Sequence, residues 1–144
     1  MVTTWILVGD ASRARIFALE KDDDPWVLLE QVENPLGRAR TSDLVSDRAG
    51  RQRQIGPALE VHTDPAEHES HRFAEKLGHV LQKGYDGRRF ARLVLVAPPR
   101  FLGYLRGVLK EVAKHVVKSI DKDYTHLDDR ELHRLLGPQL PARE

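Results

Sequence analysis

The sequence predicts a mixed α/β domain in which helices pack on a mixed sheet. Three short apolar runs separated by turn residues open the chain, at 3–9, 13–20 and 26–33, and indicate an antiparallel three-strand meander. Two segments of helical periodicity then flank a continuous apolar run at 93–97, which is typical of a strand buried on both faces. The predicted order is β-β-β, a long loop, then α-β-α-β-α.

Turn chemistry separates the strands of the meander. Asp10 closes the first strand and is suited to bond the backbone of the turn that follows. The second strand alternates, so Ile16 and Phe17 are expected on opposite faces of the sheet. The acidic stretch 21–25 ends that strand and leads into the third.

The first long helix has a well-marked start. Asp64 fits the N-cap, Pro65 the first helical position, and Glu67 the acidic partner of a capping box. Gly84 is expected to stop this helix at its carboxyl end. Its apolar stripe comprises Phe73, Leu77, Val80 and Leu81.

The carboxyl-terminal third is predicted to add a helix, a strand and a short final helix. The final helix is expected to start at Thr125 or Asp128 and to stop at Gly137. The strand before it falls within 116–125, and its boundary with the preceding helix is left open. That preceding helix has one apolar face, formed by Phe101, Leu105, Val108, Leu109 and Val112.

The composition describes a chain of 144 residues, interpreted as one domain over 1–144. Its formal charge is +1, so any electrostatic attraction must be local. Because the chain has no cysteine, disulfides, thiol catalysis and cysteine-ligated zinc are excluded. No apolar run approaches the ~18 residues that span a bilayer, and the amino terminus has no signal-peptide pattern. We therefore expect a cytoplasmic protein without membrane contact.

A basic segment without periodicity, at about 35–62, separates the meander from the first long helix. Between 35 and 57 it holds five arginines and two aspartates, a local net charge of +3. Arginine forks fit phosphate, and no aromatic residue lies among them, which favours contact with an RNA backbone over base stacking. The alternatives are a solvated loop without a ligand and a loop that docks on a symmetric partner. The candidate anion-binding residues are Arg38, Arg40, Arg48, Arg51, Arg53 and Arg100.

Histidines and an early aspartate are the other candidate site residues. His68 and His71 are three apart on a predicted helix and share a face, a usable metal-ligand spacing with His62 nearby. The alternative is a polar, exposed helix start. Asp10 is weighed as a nuclease metal ligand, but the fourth strand has no acid at its end and a two-metal mechanism needs several. We assign no catalytic residue and expect no cofactor.

Four separated blocks carry a resemblance: "TWILVGDASRARIF", "ENPLGRARTSDLVSDRAGR", "FARLVLVAPPRFLGYLR" and "IDKDYTHL". They resemble the bacterial host-attachment protein family, which implies a role in attachment to host cells. The order of elements also resembles the ribonuclease-H-like middle domain of archaeal and eukaryotic translation release factors. Those factors carry Gly-Gly-Gln before the first long helix, where this chain has Gly50, Arg51 and Gln52. Arginine takes positive φ much less readily than glycine, so peptide-release chemistry is not expected.

The sequence leaves three functions open. The first is a non-catalytic binding module that contacts RNA or the ribosome through the basic segment. The second is a hydrolase, acting through Gln52 on esters or through the three histidines with a metal. The third is a protein–protein interaction module or homo-oligomer.

Overall fold

The computed structural model describes residues 3–21, 25–38 and 65–141. Its strands are β1 (Thr4–Gly9), β2 (Arg13–Leu19), β3 (Val27–Glu33), β4 (Arg92–Val96) and β5 (Val116–Ile120). Its α-helices are α1 (Pro35–Arg38), α2 (Pro65–Asp86), α3 (Pro99–Val108) and α4 (Asp129–Leu136). Two 3-10 turns, Glu111–His115 and Gly137–Gln139, complete the described elements.

The five described strands form one sheet in the order β3-β2-β1-β4-β5. β1 pairs antiparallel with β2, and β2 pairs antiparallel with β3, so the predicted meander is confirmed. β4 lies parallel to β1 and to β5, as expected for a strand with a continuous apolar run. The predicted mixed α/β class is therefore confirmed.

Helices cover both faces of the sheet. Trp5 and Leu7 of β1 point into the larger core, under α2 and α3. Ile6 and Val8 alternate to the other face and pack with Leu132 of α4. Since side chains along a strand alternate between faces, this central strand must be apolar at every position of that run to fill both cores.

α2 begins at Pro65, as predicted, while the proposed cap Asp64 lies outside the described residues. The prediction that Gly84 stops the helix is wrong, because α2 continues to Asp86. Gly84 is buried, and a Cβ at this position would lie 2.5 Å from Cη2 of Trp5. The helix reverses instead through Arg88, which has a φ of 57°. Gly84 is thus a packing position.

The helical pattern after β4 extends further than α3 itself. α3 ends at Val108 because Leu109 is extended, with a ψ of 138°, and Val112 lies in the following 3-10 turn. Leu109 and Val112 remain buried, so the apolar pattern indicated burial correctly and helical conformation incorrectly.

The final helix begins where one of its two proposed caps predicts. The Asp128 carboxylate accepts the backbone N–H of Glu131 at 2.8 Å, which is a true N-cap. Thr125 is not the cap and has a different partner, described below. The helix ends at Leu136, and Gly137 continues into the 3-10 turn with helical dihedral angles.

Candidate functional site

The carboxyl ends of β1, β4 and β5 lie at one edge of the sheet, because these strands are parallel. β3 ends at this edge too, since two antiparallel pairings restore the direction of β1. Open α/β sheets tend to bind ligands at this edge. The segments that follow these strand ends are therefore candidates for a functional site.

Asp10 organises the turn that follows β1. Its Oδ1 accepts the backbone N–H groups of Ser12 at 2.7 Å and Arg13 at 3.0 Å, as the sequence predicts for a turn aspartate. Its Oδ2 accepts the hydroxyl of Thr125 at 3.0 Å. Oδ1 of Asp10 thus holds the turn, and Oδ2 shares the Thr125 hydroxyl with Asp123, so this carboxylate has a structural role.

Thr125 joins this turn to the segment between β5 and α4. Its side chain is buried, and its Oγ1 lies 2.7 Å from Oδ1 of Asp123 as well as 3.0 Å from Oδ2 of Asp10. A hydroxyl carries one proton and so donates to one of these carboxylates at a time. Two of the sequence blocks quoted above, one around β1 and one after β5, therefore meet at this hydroxyl.

Arg15 holds the same segment against the sheet. Its guanidinium donates to Oδ1 of Asp129 at 2.8 Å and to the backbone carbonyls of Leu127 at 2.7 Å and Thr125 at 3.0 Å. Arg15 was not predicted from the sequence. The available signal is its position in β2, where Arg15 shares a face with the buried Phe17. A charged group on a buried face requires partners.

A cleft of about 590 Å³ lies beside Arg15. Its lining has cations from Arg13, Arg15 and Arg130, and acids from Asp128 and Asp129. Three cations and two acids nearly balance, and Arg15 and Asp129 also pair with each other. The cleft therefore indicates no class of charged ligand.

Asn34, which precedes the basic segment, lies at this same edge. Asn34 donates its side-chain amide to the carbonyl of Ala11 at 2.9 Å and its backbone N–H to the carbonyl of Ser12 at 2.8 Å. The chain re-enters at Pro65, and the hydroxyl of Tyr104 donates to Oε1 of Glu67 at 2.7 Å. The described residues on either side of 39–64 are thus anchored, Asn34 on the Asp10 turn and Glu67 beside α3.

Most of the predicted anion-binding residues belong to that segment. Arg40, Arg48, Arg51 and Arg53, together with Gln52, lie outside the described residues, and of Arg38 only the backbone, at the end of α1, is described. Arg100 is exposed in the first turn of α3, at the carboxyl edge of the sheet. The assignment of these residues to anion binding stays a prediction.

The histidine cluster is only partly described. His68 is exposed on α2, and the ring of His71 meets the ring of Tyr104 edge-on, with 5.2 Å between centroids. Within the described residues no group of three or more histidines or acids could hold a metal ion. His62 lies outside them, so the metal site also stays a prediction.

Comparison with known proteins identifies the family. The model of the family "Protein required for attachment to host cells" matches residues 5–136. The chain belongs to this family. A search of curated proteins gave no match for this host-attachment family member.

Solved structures with a similar arrangement come from archaea. One is a translation termination factor, aRF1, with a TM-score of 0.46 and 10% identity, covering 95% of this chain and 38% of that one. Another, described as an archaeal protein, has a TM-score of 0.45 and 12% identity, covering 95% of this chain and 35% of its own. The host-attachment chain thus spans little more than a third of either. In the described residues, no helix is both long enough and apolar enough to cross a membrane.

Proposed function

We propose that this host-attachment family protein is a non-catalytic module that binds the phosphate backbone of RNA, including ribosomal RNA, through the basic segment 35–57. The observation that supports the proposal is the concentration of charge in the sequence. The segment has a net charge of +3, while the whole chain has +1. Such a cluster of arginines attracts phosphate through charge and through planar hydrogen-bonding forks.

The anchors of the segment support a contact role. Asn34 fixes its start to the Asp10 turn, and the Tyr104–Glu67 hydrogen bond fixes its return beside α3. The described residues on both sides of the segment are therefore held on the folded domain, and Asn34 lies at the carboxyl edge of the sheet. Arg100, exposed at the same edge, adds a cation there.

The carboxylate arrangement favours binding over catalysis. Asp10, the acid best placed at the carboxyl edge, uses both oxygens in hydrogen bonds to its own turn and to Thr125. Arg51 stands in the sequence where release factors have their second glycine. We therefore assign no catalytic role to Gln52.

The first test removes charge from the segment and leaves side-chain size nearly intact. The variant is Arg48→Gln/Arg51→Gln/Arg53→Gln, and its matched control is Arg72→Gln/Lys76→Gln/Lys83→Gln on exposed positions of α2. We measure binding of a short labelled single-stranded RNA by anisotropy over a range of salt concentrations. For each lost phosphate contact, the slope of log affinity against log salt should weaken by about 0.7. The control should keep the wild-type slope.

Three results would contradict the proposal. Equal slopes for the segment variant and the wild type would remove the RNA contact from 35–57. Ester turnover abolished by Gln52→Ala, or a stoichiometric metal in the purified protein, would favour a hydrolase. Co-purification with a protein partner and no ribosomal component would favour a protein-interaction module.

A further inference from the structure

The solvent-exposed face of α3 carries charge of one sign. Arg100 and Arg106 are exposed on this helix, and Lys110 is exposed just beyond its end. From 100 to 118 the sequence contains five lysines and arginines and one acid, Glu111. This stretch has a net charge of +4, which leaves −3 for the rest of the chain. The charge asymmetry is therefore much larger than the total of +1 indicates.

These cations are not neutralised within the described part of the chain. Arg100 and Lys110 form no ion pair with any described residue. Arg106 donates to the hydroxyl of Ser119 at 2.7 Å, which orients the guanidinium without cancelling its charge. An exposed cation that forms no ion pair remains available to an external anion.

The exposed positions of this face have no large apolar side chain. Between the cations, the exposed positions of α3 are Gly103 and Gly107. The exposed large apolar side chains among the described residues lie elsewhere, on β3, α1, β5 and α4. Protein interfaces concentrate their affinity in buried aromatic and arginine anchors. A face of cations and glycines has no apolar anchor and is better suited to a phosphate backbone.

We propose that this face of α3, formed by Arg100, Arg106 and Lys110, is a second contact surface for the RNA backbone, separate from 35–57. The inference rests on the proposed function, because it assumes the same RNA partner. The Tyr104–Glu67 hydrogen bond holds the start of α2, which follows the basic segment in sequence, beside α3. At 1.5 Å per residue, Arg100 to Arg106 spans about 9 Å of α3, enough for more than one phosphate of a strand, and Lys110 follows just beyond the helix.

Gly103 and Gly107 are consistent with a close contact. A Cβ built at either position meets no atom within 4 Å, so packing within the chain does not require glycine there. Without side chains at these positions, a strand can approach the helix backbone between the cations. The charges are the main evidence for the surface, and the glycines would allow RNA to approach the helix backbone closely.

The test separates the two surfaces. The α3 variant is Arg106→Gln/Lys110→Gln, and its matched control is Lys76→Gln/Lys83→Gln on α2, which removes the same charge. Binding is measured with the same labelled RNA strand over a range of salt concentrations, and thermal melting verifies the fold of each variant. We expect the α3 variant to weaken the salt slope by about 0.7 for each lost contact, with the control unchanged.

The outcomes distinguish this inference from the proposed function. A normal slope for the folded α3 variant, with a weakened slope for the Arg48/Arg51/Arg53 variant, overturns the α3 surface and leaves the segment standing. The reverse pattern supports the α3 surface and removes the segment. Wild-type protein that does not bind RNA overturns both. If polyglutamate binds with the same dependence on Arg106 and Lys110, the surface recognises acidic polypeptide and the RNA assignment is wrong.

Discussion

α2 and α3 pack on the same face of the sheet and use glycine in opposite ways. In α2, Gly78 and Gly84 are in close contact, and added Cβ atoms would lie 3.0 Å from Val108 and 2.5 Å from Trp5. In α3, Gly103 and Gly107 face open space. The first pair lets elements of the chain approach each other, whereas the second pair serves no packing within the described residues.

The two helices also differ in charge. α2 mixes four acids with three cations over 22 residues, and its single arginine, Arg72, pairs with Glu69 three positions earlier. α3 has two arginines and no acid in ten residues. A mixed surface neutralises itself, whereas a surface of one sign attracts a partner. This difference in charge is the reason for proposing a contact surface on α3 and none on α2.

The largest effect expected is at Gly84. Gly84→Ala places a methyl group against the ring of Trp5, which is buried and packs on Phe90 with 4.6 Å between centroids. We expect the free energy of unfolding to fall by about 1–3 kcal/mol, as for other overpacked cores. Urea denaturation measures the change. An unchanged midpoint would show that α2 does not need this close approach, and the contrast with α3 would fail.

In α3, replacing glycine by alanine is expected to raise the free energy of unfolding. Gly103→Ala and Gly107→Ala add methyl groups in open space and remove the entropic cost of helical glycine. Each should raise the free energy of unfolding by roughly 0.5–1 kcal/mol.

RNA binding sharpens this second prediction. If glycine serves access to the helix, the stabilised double variant should bind RNA more weakly than wild type in the anisotropy assay. Added stability with unchanged affinity would show that the glycines have no part in binding. A double variant less stable than wild type would contradict the open space found around Gly103 and Gly107.

The smallest change in the free energy of unfolding is expected at Arg88, just after the end of α2. Arg88 has a φ of 57°, a region costly for a residue with a Cβ and accessible to glycine. Arg88→Gly should raise the free energy of unfolding by less than about 1 kcal/mol, because relieved strain is partly offset by a more flexible unfolded chain.

Arg89→Gly is the matched control for that prediction. It should lower stability, since the Arg89 guanidinium lies 5.1 Å from the centre of the Trp5 ring. Differential scanning calorimetry compares the two variants. A stabilising Arg89→Gly together with a destabilising Arg88→Gly would reverse the assignment of strain.

The fold was predictable wherever the apolar pattern decides it. The alternation around Ile16 and Phe17 placed β2, and the run at 93–97 placed a buried strand. The pattern indicates burial more reliably than conformation, which is why Val112 was expected in a helix and lies in a 3-10 turn. Gly84 was misread because its reason is a tertiary neighbour, Trp5, that no local signal reveals.

The site was predictable to a smaller extent. Asp10 as a turn residue follows from local chemistry and is confirmed by its hydrogen bonds to Ser12 and Arg13. Arg15 depends on partners more than a hundred positions away, which the sequence does not pair. The basic segment was recognised by charge alone, and its anchor at Asn34 required the fold.

The Arg15–Asp129 contact joins residues 114 positions apart in sequence. Closing so long a chain costs little more free energy than closing one of half the length, because the entropy grows only with the logarithm of length. Its cost is in folding time, since distant contacts form slowly. During synthesis, the face of the sheet that α4 covers stays bare until residues 129–136 have been made. The interval in which this face is open to misassociation therefore lasts until α4 has formed.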